Sequence, residues 1–191
     1  MRRKRIGRGL LPGLCLLVLL GAPTATAQTA SATDREGSLR AFGRIAEVLR
    51  HPRCLNCHPD GDAPRQTDDR QRHRMLVTRG ADGLGTPAMR CTTCHQEANT
   101  ADGRVPGAPG WRLAPRTMAW EDLGDGALCR ALKDPRRNGR KTVADLVRHM
   151  TRDALVQWTW SPGDRATPPL SQYEFHDAVR RWASTGAACP P

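Results

Sequence analysis

The sequence predicts a single compact domain, mainly α with extensive loops, and three observations predict it. Apolar residues recur at helical spacing towards both ends of the chain, as in Leu39, Phe42, Ile45, Val48 and Leu49 and again in Phe175, Ala178, Val179 and Trp182. The middle, from Pro52 to Pro115, is rich in Gly, Pro, Asp and Arg and holds no sustained period of 2 or 3.6. That same middle carries one pentapeptide pattern twice, Cys54-Leu55-Asn56-Cys57-His58 and Cys91-Thr92-Thr93-Cys94-His95.

C-x-x-C-H is the attachment pattern of a c-type haem. The two thiols add to the two haem vinyl groups, and the histidine that follows ligates the iron. Paired C-x-x-C motifs also build structural zinc sites and thioredoxin-like redox centres. Zinc gives no reason for a histidine directly after both pairs. With 6 His in 191 residues, two such coincidences have odds of roughly one in a thousand. The 33 residues between Cys57 and Cys91 also exceed the roughly 15–20 of a four-cysteine ribbon. The expectation is two haem c groups held covalently by Cys54, Cys57, Cys91 and Cys94, with His58 and His95 as proximal iron ligands. The fold class becomes cytochrome-c-like, a domain built around two haems whose apolar faces replace the aliphatic core the middle segment lacks.

The elements follow in order. Residues 1–27 have the anatomy of a cleaved secretory signal: a basic start (Arg2, Arg3, Lys4, Arg5, Arg8), the apolar run Leu10 to Gly21, and the small-residue exit Ala25-Thr26-Ala27 before Gln28. The apolar run is short for a membrane span, so membrane association is expected only through an uncleaved signal anchor. Leu14 before Cys15 argues against lipid attachment. Haem c is attached after export, which makes the periplasm the expected location. Residues 28–191 form the haem domain. In it, 28–51 lead into the first motif as a helix that stops before His51-Pro52, because the residue before a proline avoids the helical basin; 52–115 are haem-binding loops; 116–191 form a helical C-terminal part.

Within that last part Asp125 to Lys133 reads as a short helix stopped by Pro135. Thr142 caps a helix with the stripe Val143, Leu146, Val147 and Met150. Ser171 and Glu174 make a capping box, closed by the staple pair Leu170 and Phe175, and Gly186 is the stop. Cys129 and Cys189, the cysteines of residues 28–191 outside the motifs, are expected to form a disulfide in an oxidising compartment. It closes a loop of about 60 residues, for about 4 kcal/mol on a chain-entropy account.

Charge narrows the partners. The formal net charge is +11, from 30 basic and 19 acidic residues. Five of the basic residues lie in 1–27, which leaves 25 against 19, or +6, over 28–191. Two haems add about four propionate carboxylates. A basic composition without a binding module or stacking platform, on an exported chain, argues against nucleic acid.

Distal iron ligands come from His51, His73, His149 and His176 or from the methionines. His73 leads because it lies between the motifs in a segment with little core of its own. His51, three residues before Cys54, reaches the other haem rather than its own, and His149 flanks the apolar stripe of its helix. Met75 is the best methionine by its closeness to His73, and Met150 and Met89 read as packing. Trp158 and Trp160 are candidates for a haem wall, with core packing as the alternative.

The blocks His51-Pro-Arg-Cys-Leu-Asn-Cys-His-Pro59, Pro87-Ala-Met-Arg-Cys-Thr-Thr-Cys-His-Gln96, Cys129-Arg-Ala-Leu-Lys-Asp-Pro-Arg-Arg-Asn-Gly139 and Leu155-Val-Gln-Trp-Thr-Trp-Ser-Pro-Gly163 resemble a family of small exported bacterial proteins. These are known as isoquinoline 1-oxidoreductase subunits or, more generally, cytochrome c family proteins. The likeness covers most of residues 28–191. It implies haem binding and electron transfer with a redox partner protein, and a molybdenum hydroxylase as that partner. The chain itself has no motif for molybdopterin or iron–sulfur clusters. The leading function is therefore a periplasmic electron-transfer subunit. A dihaem peroxidase is the catalytic alternative, although such enzymes are longer with wider motif separation, and a zinc-stabilised interaction module is the structural one.

Overall fold

The computed structural model describes residues 31–191. The signal segment 1–27 and Cys15 lie outside the described residues. The described residues are partly helical, with six α-helices among them: α1 Ala32–Leu49, α2 Pro52–Leu55, α3 Asp125–Lys133, α4 Val143–Arg152, α5 Ala154–Gln157 and α6 Gln172–Ser184. Between α2 and α3 lie two short antiparallel hairpins, β1 Arg65–Gln66 with β2 Gln71–Arg72 and β3 Gly85–Thr86 with β4 Met89–Arg90. No helix of the described residues is long and apolar enough to cross a membrane.

The helices start where local chemistry predicts. Ser171 and Glu174 form the expected capping box on α6, and Thr142 on α4 is joined by Asp145 in a second one. A third, Ser31 with Asp34, opens α1; it lies upstream of the stripe by which the helix was recognised. The α1 helix ends at Leu49 ahead of His51-Pro52. The end of α6 is followed by Gly186 at φ 96°, a left-handed position that favours glycine.

The core is the seam between α1 and α6, closed by α3 and α4. Phe42, Ile45, Val48, Leu128, Phe175, Val179 and Trp182 are fully buried, each side chain contributing about 1.5–3 kcal/mol by leaving water. Phe42 and Trp182 meet with ring centres 5.7 Å apart. Buried Ser38 donates to Trp182 O at 3.2 Å and accepts from the Ala188 N–H at 2.9 Å, pinning the C-terminal segment to both helices. Cys129 and Cys189 are bridged, with Cα atoms 5.5 Å apart. The bridge fastens α3 to the same C-terminal segment.

Residues 52–115 contrast with this. Their buried aliphatic side chains are Leu55, Pro59, Ala108 and Leu113, and the segment is held more by hydrogen bonds and ion pairs than by packing. It is not all loop, as the sequence suggested. The α2 helix, both hairpins and the 3-10 turn Cys91–Thr93 lie in it, too short for any periodicity to reveal them.

Candidate haem sites

Both motifs fold into the same single turn. In the first, the N–H groups of Cys57 and His58 donate to Cys54 O at 3.1 and 3.2 Å; in the second, those of Cys94 and His95 donate to Cys91 O at 3.2 and 2.9 Å. A helical turn puts residues i and i+3 on one face with i+4 beside them. Each motif thus presents two thiols and an imidazole together, as thioether attachment with proximal ligation requires.

The histidines repeat a second pattern. His58 Nδ1 lies 2.8 Å from Met118 O, and His95 Nδ1 lies 2.7 Å from Pro106 O. A carbonyl only accepts, so Nδ1 carries the proton in both rings and the lone pair sits on Nε2. This is the tautomer of a metal-ligating histidine with its orienting partner in place. Burial holds the His58 ring neutral by pushing its pKa down to about 3, and it lowers that of His95 as well.

At the first motif, His51 caps α2 by accepting from the Arg53 N–H at 3.3 Å. Pro52 takes the first helical position, which needs no N–H. A strap from Ala114 to Trp120 clasps the turn from behind: Ala114 N–H donates to Cys57 O at 3.1 Å and Trp120 N–H to His58 O at 3.1 Å. The Trp120 indole stacks on the His58 ring at 3.4 Å between centres. Beside the turn is a cavity of about 670 Å³, lined by Cys54, Cys57 and His58 together with Leu146, His149 and Met150 of α4. That volume suits a cofactor-sized ligand. His149 is near enough to His58 to bear on its protonation.

The lining fits a haem on two further counts. Trp158, Trp160, Val48 and Leu49 supply apolar wall. Arg53 and Arg79 also line it, their side chains only 2% and 9% exposed. Arg53 is paired with Asp68 and Arg79 with Asp62, yet the Nε atoms of both, and the Trp120 Nε1, are buried without a hydrogen-bond partner. Unpartnered buried donors are costly, and a ligand bearing carboxylates would satisfy the guanidinium ones. Both thiols are protonated: burial first, then the neighbouring cysteine or against the pull of Arg53, pushes Cys54 up to about 12 and Cys57 up to about 11. Neither is an activated redox thiolate of the kind thioredoxin-like centres need. Ala114 N–H donates to Cys57 O while that of its neighbour Leu113 donates to Gly83 O at 2.9 Å, and Cys91 Sγ lies 4.0 Å from that same Gly83 carbonyl, so the two motifs are neighbours.

The second motif follows directly from the β3–β4 hairpin, whose pairing of Gly85 with Arg90 delivers Cys91. Gly85 sits at φ 88° with its Cα against the backbone of β4, a place for no other residue. Gly107 packs with no room for a Cβ against the backbone of Gln96 and Ala98, which sets Pro106 O at the His95 ring. Trp111 stacks on that ring at 4.5 Å and meets Trp158 edge-on at 4.9 Å. His73 stands nearby, its ring centre 6.1 Å from that of His95. Cys94 is exposed and Cys91 half-buried, so this site is the more open.

The predicted site residues therefore divide. The cysteines and histidines of each motif come together, His149 joins the first and His73 the second. His51 is engaged at a helix cap. His176 Nε2 donates to Gln157 Oε1 at 2.8 Å. Met75 is 59% exposed at a loop tip. Among the described residues no three His, Cys, Asp or Glu side chains converge on a bare metal ion. Met118 is among the methionines the sequence offers as iron ligands and Trp120 among the tryptophans it offers as porphyrin packing, but the contacts they make here, a backbone carbonyl and a ring on His58, leave no residue-type signal. Sequence reasoning missed Pro106, Arg53 and Arg79, the last two being arginines among many.

Comparison with known proteins finds no matching family model, no similar curated protein and no similar solved structure.

Proposed function

We propose that this is an exported electron-transfer protein carrying two covalently attached haem c groups, which serves a partner oxidoreductase on the periplasmic side. The observation that carries the reading is the pairing, twice over, of a C-x-x-C-H turn with a histidine whose Nδ1 is tied to a backbone carbonyl and whose Nε2 is left free.

Haem iron supplies the chemistry, one electron gained or lost at each centre. The chain does the rest. Cys54 and Cys57, and Cys91 and Cys94, fix the two groups in place. His58 and His95 bind iron through Nε2, held against rotation by Met118 O and Pro106 O. Arg53 and Arg79 take the acidic edge of the first group, and the apolar wall around it excludes water. The adjacency of the motifs gives an electron a short path between centres. The second, more open site is the natural place for exchange with a partner protein, and a molybdenum hydroxylase is the partner class that the sequence resemblance suggests.

The test is a reduced-minus-oxidised spectrum of the protein matured with a c-type haem system, followed by peroxide addition. A carrier gives two reducible low-spin haems and no appreciable peroxide turnover. Sustained turnover would assign the peroxidase function instead.

A further inference from the structure

We propose that each iron takes its second axial ligand from this chain, His149 opposite His58 and His73 opposite His95, so that both centres are bis-histidine and six-coordinate. The proposal rests on the two-haem reading and adds the ligand identities that set its redox character.

The second pair is argued from distance. Two imidazoles bound through Nε2 on opposite sides of one metal are separated by two metal–nitrogen bonds of about 2.0–2.1 Å plus two ring radii, roughly 6 Å between ring centres. His73 and His95 stand 6.1 Å apart. Their planes differ by 71°, which axial ligation allows because nothing in the two metal–nitrogen bonds ties one ring plane to the other. His73 is placed by its backbone N–H, which donates to Pro64 O at 3.0 Å just beyond the β1–β2 hairpin. Its ring meets only a long 3.4 Å contact from the Met75 N–H to Nδ1, too weak to hold it from turning Nε2 to a metal. His95 on the other side is fixed by Pro106 O and Trp111.

The first pair is argued from the cavity. His149 and His58 line the same cavity from two different elements, α4 and the first motif turn. Asp153, one turn on, lies 3.1 Å from His149 Nδ1, so the carboxylate takes the Nδ1 proton in a hydrogen bond and leaves Nε2 for the metal, the carboxylate–histidine–metal arrangement. Met150 is the rival on the same helix and lines the same space, but it is 4% exposed and packed in the core cluster with Leu146 and Phe175. His149 has no packing role to leave. His51 and His176 have theirs, at the α2 cap and on Gln157.

Two bis-histidine centres lie at lower potential than histidine–methionine ones. They also offer peroxide no open position, which fits a carrier.

The experiment uses the haem-loaded protein, with haem number fixed first by mass. In the ferric wild type, near-infrared magnetic circular dichroism should show the bis-histidine charge-transfer band for both haems, and electron paramagnetic resonance should show a strongly anisotropic low-spin signal from the His73–His95 centre with its crossed rings. His73→Gly and His149→Gly should each retain two haems, turn one of the two high-spin and open to carbon monoxide, and recover the low-spin spectrum on adding imidazole. A histidine–methionine band in the wild type would give the first site to Met150 and overturn the pairing. So would a glycine variant that stays fully low-spin. The wild-type spectra decide the matter even if a variant does not fold. A wild type with no covalent haem overturns the underlying reading and this proposal with it, an outcome separable from a two-haem protein with other ligands.

Discussion

The two C-x-x-C-H turns share their backbone hydrogen bonds and differ in everything around them. The first opens on a cavity walled by α1, α4 and the tryptophans near α5, with two buried arginines at its edge. The second hangs from a two-residue hairpin among loops, with one cysteine exposed. On the proposed two-haem reading, one covalent chemistry would be set in two different environments. Burial disfavours the extra charge of ferric iron and raises the potential, as do nearby cations. The first centre is expected to hold the higher potential and the second to meet partners.

The same contrast extends to folding, and its largest consequence appears when haem is withheld. Residues 31–51 and 125–184 own nearly all of the aliphatic core, whereas Leu55, Pro59, Ala108 and Leu113 are the buried aliphatics of 52–115. In protein made without a c-type maturation system, hydrogen exchange should therefore find α1, α3, α4 and α6 protected and the residues between roughly 60 and 110 exchanging near the unprotected rate. Uniform protection across both regions would break the comparison.

The next effect belongs to the helical region alone. Cys189→Ser removes the bridge to Cys129 and should lower stability by up to about 4 kcal/mol, read as a drop in Tm, with both haems retained. Loss of haem from this variant would mean that the two regions are less independent than their cores imply.

Much of the helical region was legible in the sequence because its physics is local. Stripes, caps and the stop at His51-Pro52 are set by residues within a few positions of one another, so α3 and α6 appear where periodicity and capping place them. The sites were legible only in part. The pentapeptides announce themselves, yet the strap that orients His58 acts through Met118 O and the ring of Trp120, 60 residues away, and no residue pattern encodes a backbone acceptor. His149 reads from sequence as a flank residue of an amphipathic helix. Its place in the lining of the cavity that also holds His58 is a product of tertiary packing.

A smaller effect separates the two centres. Arg53→Gln removes a buried cation from the first site only and should lower the higher of the two potentials, by on the order of 59 mV or less, a tenfold change for one electron. Protein-film voltammetry checks it, and an equal shift of both waves would contradict the assignment of Arg53 to the first centre.

The smallest effect is again in the helical region. Hydrogen bonds from Thr142 hold Asp145, and those from Ser171 hold Glu174, below their usual carboxyl values of 3.8 and 4.5. Depressed carboxyl values mean that this stability is present above those values and is lost as pH falls through the folded-state ones. Acid should then fray α4 and α6 first. Ser171→Ala removes one cap for about 1 kcal/mol, and circular dichroism against pH should show the variant's acid transition flattened relative to wild type.

The central claim is that both turns carry covalent haem, and intact mass of the protein matured in a c-type haem-competent periplasm tests it most directly. The account predicts a mass two haems above that of the processed chain, falling to a single stable adduct when Cys54 and Cys57 are both replaced by alanine. A wild-type protein with no covalent haem, or with stoichiometric zinc in its place, would contradict it.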